Sequence, residues 1–240
     1  MIVNSDYKNG LLDGLKSIAR LTYRGIYVLD CIDGSFEYVS HNPIFLCGKT
    51  PDELQGKKFR LFFDEKVKED DKEFMNEIFP LAFDFYKELP MEENKYDYTL
   101  SYDFHMKSID EYYVLVNHKL TPIEIGENNV LKKVVCLASI SPNEKTGNLI
   151  AYKKESNELW KYDIKSKHWI KTKKQQLSSK EKFLLHLCAK GKSSKEIAEQ
   201  MSISVETVKF HRKKVIEKLG VKNIVEAISY AMVYKLIYTL

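Results

Sequence analysis

The sequence predicts two folded parts: a mixed α+β domain over residues 1–146 and a small all-α domain of four helices over residues 177–240. Three long runs within residues 96–141 alternate apolar and polar side chains, as half-buried strands do. Charge changes sign along the chain. Residues 171–240 contain 15 Lys and Arg against 6 Asp and Glu, a net charge of +9, whereas residues 1–170 contain 23 against 28, a net charge of −5. A basic C-terminal part of this kind is typical of modules that bind polyanions.

The composition excludes several classes of protein. The chain has 240 residues, of which 44% are hydrophobic and 30% charged, as in a globular protein. No apolar run reaches the roughly 18 residues that a membrane-spanning helix needs, and the N-terminal residues lack the pattern of a signal peptide. Cys31, Cys47, Cys136 and Cys188 stand far apart without a CxxC pair, which argues against a zinc or redox site. We therefore expect a cytoplasmic protein with no metal and no membrane partner.

Local signals predict a helix, a hairpin, an acidic helical segment and three long strands, in that order. Their predicted bounds are 11–21 for the helix, 25–30 and 36–40 for the hairpin, 64–89 for the helical segment, and 96–106, 112–125 and 130–141 for the strands. Asp33-Gly34 supplies the hairpin turn. Thr50-Pro51-Asp52-Glu53 combines an N-cap, a proline at the first helical position and an acid three residues later, which marks a helix start. This order predicts a five-stranded antiparallel sheet with helices on one side.

Residues 147–176 are predicted to connect the two parts. Leu149–Lys154 and Leu159–Ile164 are expected to form a further hairpin, and Lys171-Thr172-Lys173-Lys174 then follows as a basic linker.

The segment after the first hairpin resembles a PAS domain. The matching residues are Asn42, Phe45 to Leu54, Gly56 and Lys57. The resemblance covers about Leu11 to Asn143. It implies a sensor or dimerisation module, to which a small molecule or another protein could bind.

No cofactor is predicted for this module. In the light-sensing branch of the PAS family a flavin-reactive cysteine follows this helix, but Phe59 stands in its place here, which excludes that photochemistry. His105 and His118 lie on predicted strands, where a haem ligand is not expected. Five aromatic residues could line an apolar pocket or simply pack the sheet, and we favour packing. They are Tyr98, Tyr102, Phe104, Tyr112 and Tyr113.

Four short helices are predicted in the C-terminal part. Ser178-Ser179-Lys180-Glu181 and Ser193-Ser194-Lys195-Glu196 are capping boxes, and Gly191 and Gly220 stand where helices end in the left-handed conformation. Ser202-Ile203-Ser204 joins the second and third helices, and so short a turn predicts a helix-turn-helix. The predicted helices are 178–190, 193–201, 205–219 and 223–237.

The third of these helices separates its side chains by type. Val208, Val215 and Leu219 fall on one face, with Val205 at its edge. The opposite face carries Glu206, Lys209, Phe210, Lys213, Lys214 and Glu217. Lysines and an aromatic on the outer face suit a helix in a DNA major groove, although a solvated helix face could have the same composition.

Residues 177–227 resemble the LuxR-type helix-turn-helix, with the spacing kept throughout. The matching residues are Leu177-Ser178, Glu181, Leu185, Ala189, Gly191, Ser193, Lys195-Glu196-Ile197-Ala198, Ile203-Ser204, Thr207-Val208-Lys209, His211, Lys218-Leu219-Gly220-Val221, Asn223 and Glu226-Ala227. The resemblance implies that the third helix enters the major groove of DNA and that the second helix and the turn hold phosphates. It also implies that the fourth helix forms a dimer contact.

The resemblance also assigns DNA contacts by position. Lys209, Phe210 and Lys213 are expected to face base edges, while Arg212 is expected to reach outward to phosphate. The other expected contacts are Ser193, Lys195, Thr207 and His211 near the phosphates, and Glu206 and Lys214 on the outer face. Lys180, Phe183 and Ser194 depart from the family pattern. Because Phe210 can contact a thymine methyl group but offers no hydrogen bond, the preferred DNA sequence stays open.

The fourth helix is apolar over too much of its circumference for so small a domain. A second copy of the chain is the expected cover, and packing against the PAS-like module is the alternative. The expected dimer contacts are Val225, Ile228, Ala231, Met232 and Leu236.

These patterns predict a transcription regulator that binds double-stranded DNA as a homodimer and is not an enzyme. The alternative is an interaction protein whose basic unit docks a partner without reading DNA. Gly191-Lys192-Ser193 resembles the end of a phosphate-binding loop, but His186 stands where that loop needs glycine. The sequence also lacks the motifs of serine hydrolases, zinc proteases and dinucleotide-binding enzymes.

Overall fold

The structure, a computed structural model, describes residues 5–237. Its contacts divide the chain into two compact units, the first reaching Thr172 and the second beginning at Lys173. Each unit has its own hydrophobic core. No helix within residues 5–237 is both long enough and apolar enough to cross a membrane.

The first unit contains the elements that the sequence predicts, including both strands of the second predicted hairpin, and one additional strand after them. Its helices are α1 (Ser5–Leu21), α2 (Pro43–Leu46), α3 (Pro51–Leu54), α4 (Phe59–Lys66) and α5 (Lys72–Glu88). Its strands are β1 (Gly25–Asp30), β2 (Ser35–Val39), β3 (Tyr98–Lys107), β4 (Tyr113–Ile125), β5 (Leu131–Ile140), β6 (Gly147–Lys153), β7 (Glu158–Asp163) and β8 (His168–Lys173). Both hydrogen bonds of the predicted capping box form between Thr50 and Glu53 at the start of α3.

The strands form one sheet in the order β2-β1-β5-β4-β3-β6-β7-β8. Every strand pair whose register is described is antiparallel. Buried side chains of α2 to α5 pack against one face of β1 to β5, which is the arrangement that the resemblance to a PAS domain implies. The predicted α+β class is therefore confirmed, but the predicted count of five strands is too low.

Strands β6 to β8 belong to the same sheet as β1 to β5, which corrects the assignment of residues 147–176 to a separate hairpin and linker. Leu100 of β3 pairs with Ala151 of β6, so the predicted hairpin continues the sheet. Without β6, β3 would present an open edge to water or to another chain, and pairing removes that edge. Periodicity predicts the hairpin but not the strand with which it pairs.

Aromatic packing explains why the predicted basic linker is mostly strand. Trp169 of β8 packs against Phe85 of α5, with ring centroids 4.8 Å apart, and against Tyr162 of β7 at 5.3 Å. Lys171 is exposed and pairs with Glu158 at 2.9 Å. The connection from β8 to the cap of the next helix therefore comprises residues 174–177 alone.

His118, considered above as a haem ligand, is a core residue. It is fully buried, its Nδ1 lies 2.8 Å from the Tyr27 hydroxyl, and its ring meets that of Phe104 edge to face at 4.5 Å. Burial lowers the pKa of His118 from 6.5 to about 3. The imidazole is therefore neutral near pH 7.

His105 has a carboxylate partner. Its Nδ1 lies 2.8 Å from Asp71 Oδ2, and Thr146 donates a hydrogen bond of 2.7 Å to the other oxygen of that carboxylate. Among residues 5–237, no group of three or more His, Cys, Asp or Glu side chains could hold a metal ion.

The five aromatics proposed as pocket or packing residues do not share one surface. Tyr98, Tyr102 and Phe104 lie in the core, whereas Tyr112 and Tyr113 are exposed. Tyr102 stacks on Phe104 with ring centroids 5.8 Å apart. The buried members therefore pack the sheet, as the favoured interpretation holds.

The second unit consists of α6 (Ser179–Ala189), α7 (Ser194–Met201), α8 (Val205–Leu219) and α9 (Ile224–Val233). The fourth helix is shorter than predicted. Lys235 adopts a left-handed φ of 55°, and the amide of Leu236 donates to the carbonyl of Ala231 at 2.7 Å. This turn brings Ile237 into the core.

Candidate nucleic-acid interface

Three capped helix starts build the candidate interface. Ser178 and Ser193 form the predicted capping boxes at the starts of α6 and α7. Ser204 caps α8 by accepting a hydrogen bond of 3.1 Å from the amide of Thr207. Each cap satisfies a first-turn amide that would otherwise lack a partner, so the capped ends of all three helices are stabilised locally.

The turn between α7 and α8 is tight. Ser202 adopts a left-handed φ of 53°, and the amide of Ile203 donates to the carbonyl of Ala198 at 3.0 Å. The chain thus reverses over Ser202-Ile203-Ser204, as predicted, and α7 and α8 form a helix-turn-helix.

The two faces of α8 have the predicted separation. Val208 and Val215 are fully buried, and Leu219 is 6% exposed. The outer face is exposed at every predicted position, namely Glu206, Lys209, Phe210, Lys213, Lys214 and Glu217. The packed side holds the helix in place, so its cationic side is left to solvent or a ligand.

Few carboxylates neutralise this cationic surface. Lys195, Lys209 and Lys214 are exposed and form no ion pair with any residue between 5 and 237. Lys213 lies 3.8 Å from Glu217, but both side chains are more than half exposed, and such surface pairs are weak. Four lysine ammonium groups on α7 and α8 are therefore available to an anionic partner.

Among the predicted contacts near phosphate, two hydroxyls already serve as caps or cap partners. Ser193 accepts a hydrogen bond from the amide of Glu196 at 3.3 Å, and the Thr207 hydroxyl lies 2.9 Å from that of Ser204. A hydroxyl that accepts a hydrogen bond keeps a proton to donate, so the cap does not prevent Ser193 from donating to phosphate. His211 is half-buried, with its ring 5.8 Å from that of Phe210.

Arg212 does not reach outward as expected. Its guanidinium donates to Ser194 Oγ at 3.2 Å and to the carbonyl of Lys192 at 3.5 Å. Arg212 lies between Val208 and Val215 in sequence, beside the buried stripe of α8, and the start of α7 offers it these two acceptors. Arg212 therefore braces α8 against the first turn of α7.

Sequence reasoning missed the ion pair between Glu181 of α6 and Lys218 of α8. Their charged atoms lie 2.8 Å apart, and the side chain of Glu181 is only 7% exposed. Burial alone would raise the pKa of Glu181, but the Lys218 ammonium and the Ser178 cap outweigh it and hold that pKa below its usual value. The two residues are 37 positions apart, so no local spacing signals the pair.

The structure corrects one predicted dimer contact on α9. Ala231 is fully buried in the core of its own unit, where a small side chain allows α9 to pack closely, so it is not available to a second chain. Val225 is 72% exposed. Ile228, Met232 and Leu236 are half-buried and pack partly against the same core.

Comparison with known proteins gives this unit a family. Residues 175–231 match the model of the family described as bacterial regulatory proteins, luxR family. Oxygen regulatory protein NreC of Staphylococcus aureus is 44% identical over 61 residues, which are 25% of this chain and 28% of NreC. The chain thus spans just over a quarter of the length of the curated relatives that it matches.

Solved structures resemble larger parts of the chain at low identity. A VqmA dimer of Vibrio cholerae, determined in the absence of its target DNA, is 15% identical, with a TM-score of 0.37 over 95% of this chain and 90% of VqmA. A PAS domain from Colwellia psychrerythraea is 14% identical, with a TM-score of 0.40 over 55% of this chain and 97% of that domain.

The family match spans α6 to α8 and most of α9. The short turn, the capped helices and the exposed lysines of α8 all lie within it. The second unit of this chain therefore belongs to the luxR family of bacterial regulatory proteins, as a LuxR-type helix-turn-helix domain.

Proposed function

We propose that the chain is a transcription regulator whose second unit binds double-stranded DNA through α8. The observation that carries this proposal is the division of α8 into a fully packed apolar side and an exposed lysine side. A helix of this kind can lie in the major groove without losing its own core contacts. NreC is itself named a regulatory protein.

The proposed contacts follow the positions of the exposed groups. Lys209, Phe210 and Lys213 face base edges, with Glu206 and Lys214 beside them on α8. Ser193, Lys195, Thr207 and His211 contact phosphates. Because lysine–phosphate pairing releases counterions, the affinity falls steeply as salt rises.

Arg212 supports binding without touching DNA in this proposal. Its guanidinium joins α8 to Ser194 and to the carbonyl of Lys192. It therefore fixes the crossing of α7 and α8, and with it the spacing between the phosphate contacts of α7 and the base contacts of α8.

A homodimer is the proposed binding species. Val225, Ile228, Met232 and Leu236 of α9 form the proposed contact between two copies. An isologous dimer has twofold symmetry, so its preferred DNA is an inverted repeat with half-sites about one helical turn apart.

The first unit is the proposed sensory or dimerisation module of this regulator. Its core aromatics pack against one another and against His118, which supports a packed module without a cofactor. A small molecule or a protein remains the proposed class of signal. The proposed site of action is the cytoplasm, because that compartment contains bacterial DNA, and we propose no catalytic activity.

Selection from a random pool of duplex DNA tests the proposal. Full-length protein is incubated with the pool in low salt, and bound duplexes are amplified and sequenced over several rounds. We expect enrichment of an inverted repeat. Failure to shift random duplex in low salt, together with no enrichment, would instead support a protein-docking role for the basic unit.

A further inference from the structure

Phe210 is a large apolar side chain on a face that is otherwise polar. It is 62% exposed, next to Lys209 and on the same face as Lys213. Single exposed hydrophobic residues are common and need no explanation by themselves. The position of Phe210 carries more information, because it lies in the first half of α8, and the N-terminal residues of a recognition helix contact base edges.

The chemistry of the major groove limits what this ring can favour. Guanine, adenine and cytosine present hydrogen-bond donors and acceptors there, whereas thymine also presents a C5-methyl group. A phenyl ring that covers a donor or acceptor removes water from it without replacing the hydrogen bond, which is unfavourable. A phenyl ring that covers a methyl group removes apolar surface from water, which is favourable.

We infer that Phe210 reads the 5-methyl group of a thymine, so that each half-site of the bound DNA has a thymine facing this ring. The inference rests on the proposed function and names the base that the function leaves open. Lys209 and Lys213 contact the neighbouring positions. Lysine donates to guanine O6 and N7 or to phosphate, so the two lysines supply affinity and Phe210 supplies a preference for thymine.

Deoxyuridine provides a direct test, because it differs from thymidine only in lacking this methyl group. Each thymine of the selected duplex is replaced singly by deoxyuridine, and binding of full-length protein is measured by fluorescence anisotropy. Burying one methyl group corresponds to about a fourfold change in affinity. We expect a loss of that size at one thymine in each half-site and little change elsewhere.

Variants assign the effect to the ring. Phe210→Ala should bind the thymine and deoxyuridine duplexes with equal affinity. Phe183→Ala is the matched control, because Phe183 is also an exposed phenylalanine, 45% exposed on α6, and this variant should keep the fourfold ratio.

The outcomes separate this inference from the proposed function. Tight binding without any deoxyuridine effect, or an effect that persists in Phe210→Ala, overturns the inference and leaves DNA binding intact. Equal weakening of both duplexes by Phe210→Ala, with the ratio preserved, also overturns it, since the ring then acts as a wedge or sugar contact. Absence of binding to any duplex overturns the proposed function itself.

Discussion

A single buried histidine couples the stability of the first unit to pH. His118 has a pKa of about 3 in the folded chain and an ordinary value of 6.5. Between these values the unfolded chain binds a proton that the folded chain does not, so stability falls as the pH falls. This loss of stability is absent well above pH 6.5 and increases as the pH is lowered towards 3.

We expect this histidine to cost the first unit about 2 kcal/mol of stability when the pH is lowered from 6.5 to 5. His118→Gln should lose that part of the pH dependence, since glutamine does not titrate. Urea unfolding followed by tryptophan fluorescence reports on this unit, because both tryptophans, Trp160 and Trp169, lie in it. His168→Gln, which changes an exposed histidine, is the control and should retain the dependence of the natural chain. Identical pH profiles for His118→Gln and the natural chain would contradict the assignment.

The ion pair between Glu181 and Lys218 leads to a second prediction at the scale of residues. Lys218→Met leaves a nearly buried carboxylate without its cation, which should destabilise the second unit by about 1–3 kcal/mol. Lys218 helps to lower the pKa of Glu181. The ion pair should therefore stabilise the folded natural chain above that pKa, and this stabilisation should be lost as the pH falls through it.

Thermal unfolding followed by circular dichroism measures the change. The double variant Glu181→Gln/Lys218→Met removes both charges and should be more stable than Lys218→Met alone. If Lys218→Met and the double variant both match the natural chain, the pair contributes nothing to stability.

At the scale of elements, Arg212 joins α8 to the start of α7 through hydrogen bonds. Arg212→Met should weaken binding to the selected duplex and to random duplex by a similar factor, because it disturbs the geometry and not a base contact. It should leave the salt dependence of binding unchanged. Lys195→Met, by contrast, removes a proposed phosphate contact and should reduce the slope of log affinity against log salt by about one. A reduced slope for Arg212→Met would show that Arg212 contacts phosphate after all.

Elements bounded by local signals are predictable from the sequence. The capping boxes at Ser178 and Ser193 and the left-handed Gly220 mark the ends of helices within a few residues of where they occur. The buried face of α8 likewise follows from the spacing of Val208 and Val215. Such signals are predictable because the interacting groups lie within one or two turns of each other.

Features that depend on distant partners were not predictable in the same way. β6 pairs with β3, and β8 is held by aromatic contact with α5, but neither partner is adjacent in sequence. The brace made by Arg212 and the burial of Ala231 depend on how helices cross. A single sequence shows which positions are apolar or charged, but it does not show which of them are in contact in the folded chain.

At the scale of the whole molecule, the proposed dimer contact on α9 leads to a prediction about the number of copies that associate. Val225→Glu places a charge on an exposed apolar position of α9 and should shift the protein towards monomer, with weaker binding to an inverted repeat. Sedimentation velocity measures the mass in solution, and anisotropy measures the affinity. Phe183→Glu, on α6, is the control and should leave the dimer intact. A Val225→Glu protein that remains dimeric with full affinity would place the dimer contact elsewhere.

The distribution of charge over the whole chain also favours DNA binding by the second unit. The basic excess lies in residues 171–240, while residues 1–170 are acidic overall. An acidic module is not attracted to DNA, so it does not compete with α8 for the duplex.

We propose above that the exposed lysine face of α8 contacts DNA. The most direct test is the affinity of full-length Lys209→Ala and Lys213→Ala for the selected duplex, with Lys161→Ala as a control that removes the same charge from an exposed position in the first unit. We expect a loss of about 1–3 kcal/mol for each α8 variant, with unchanged circular dichroism, and almost none for the control. Equal affinity of all three variants and the natural chain would show that this face does not contact DNA.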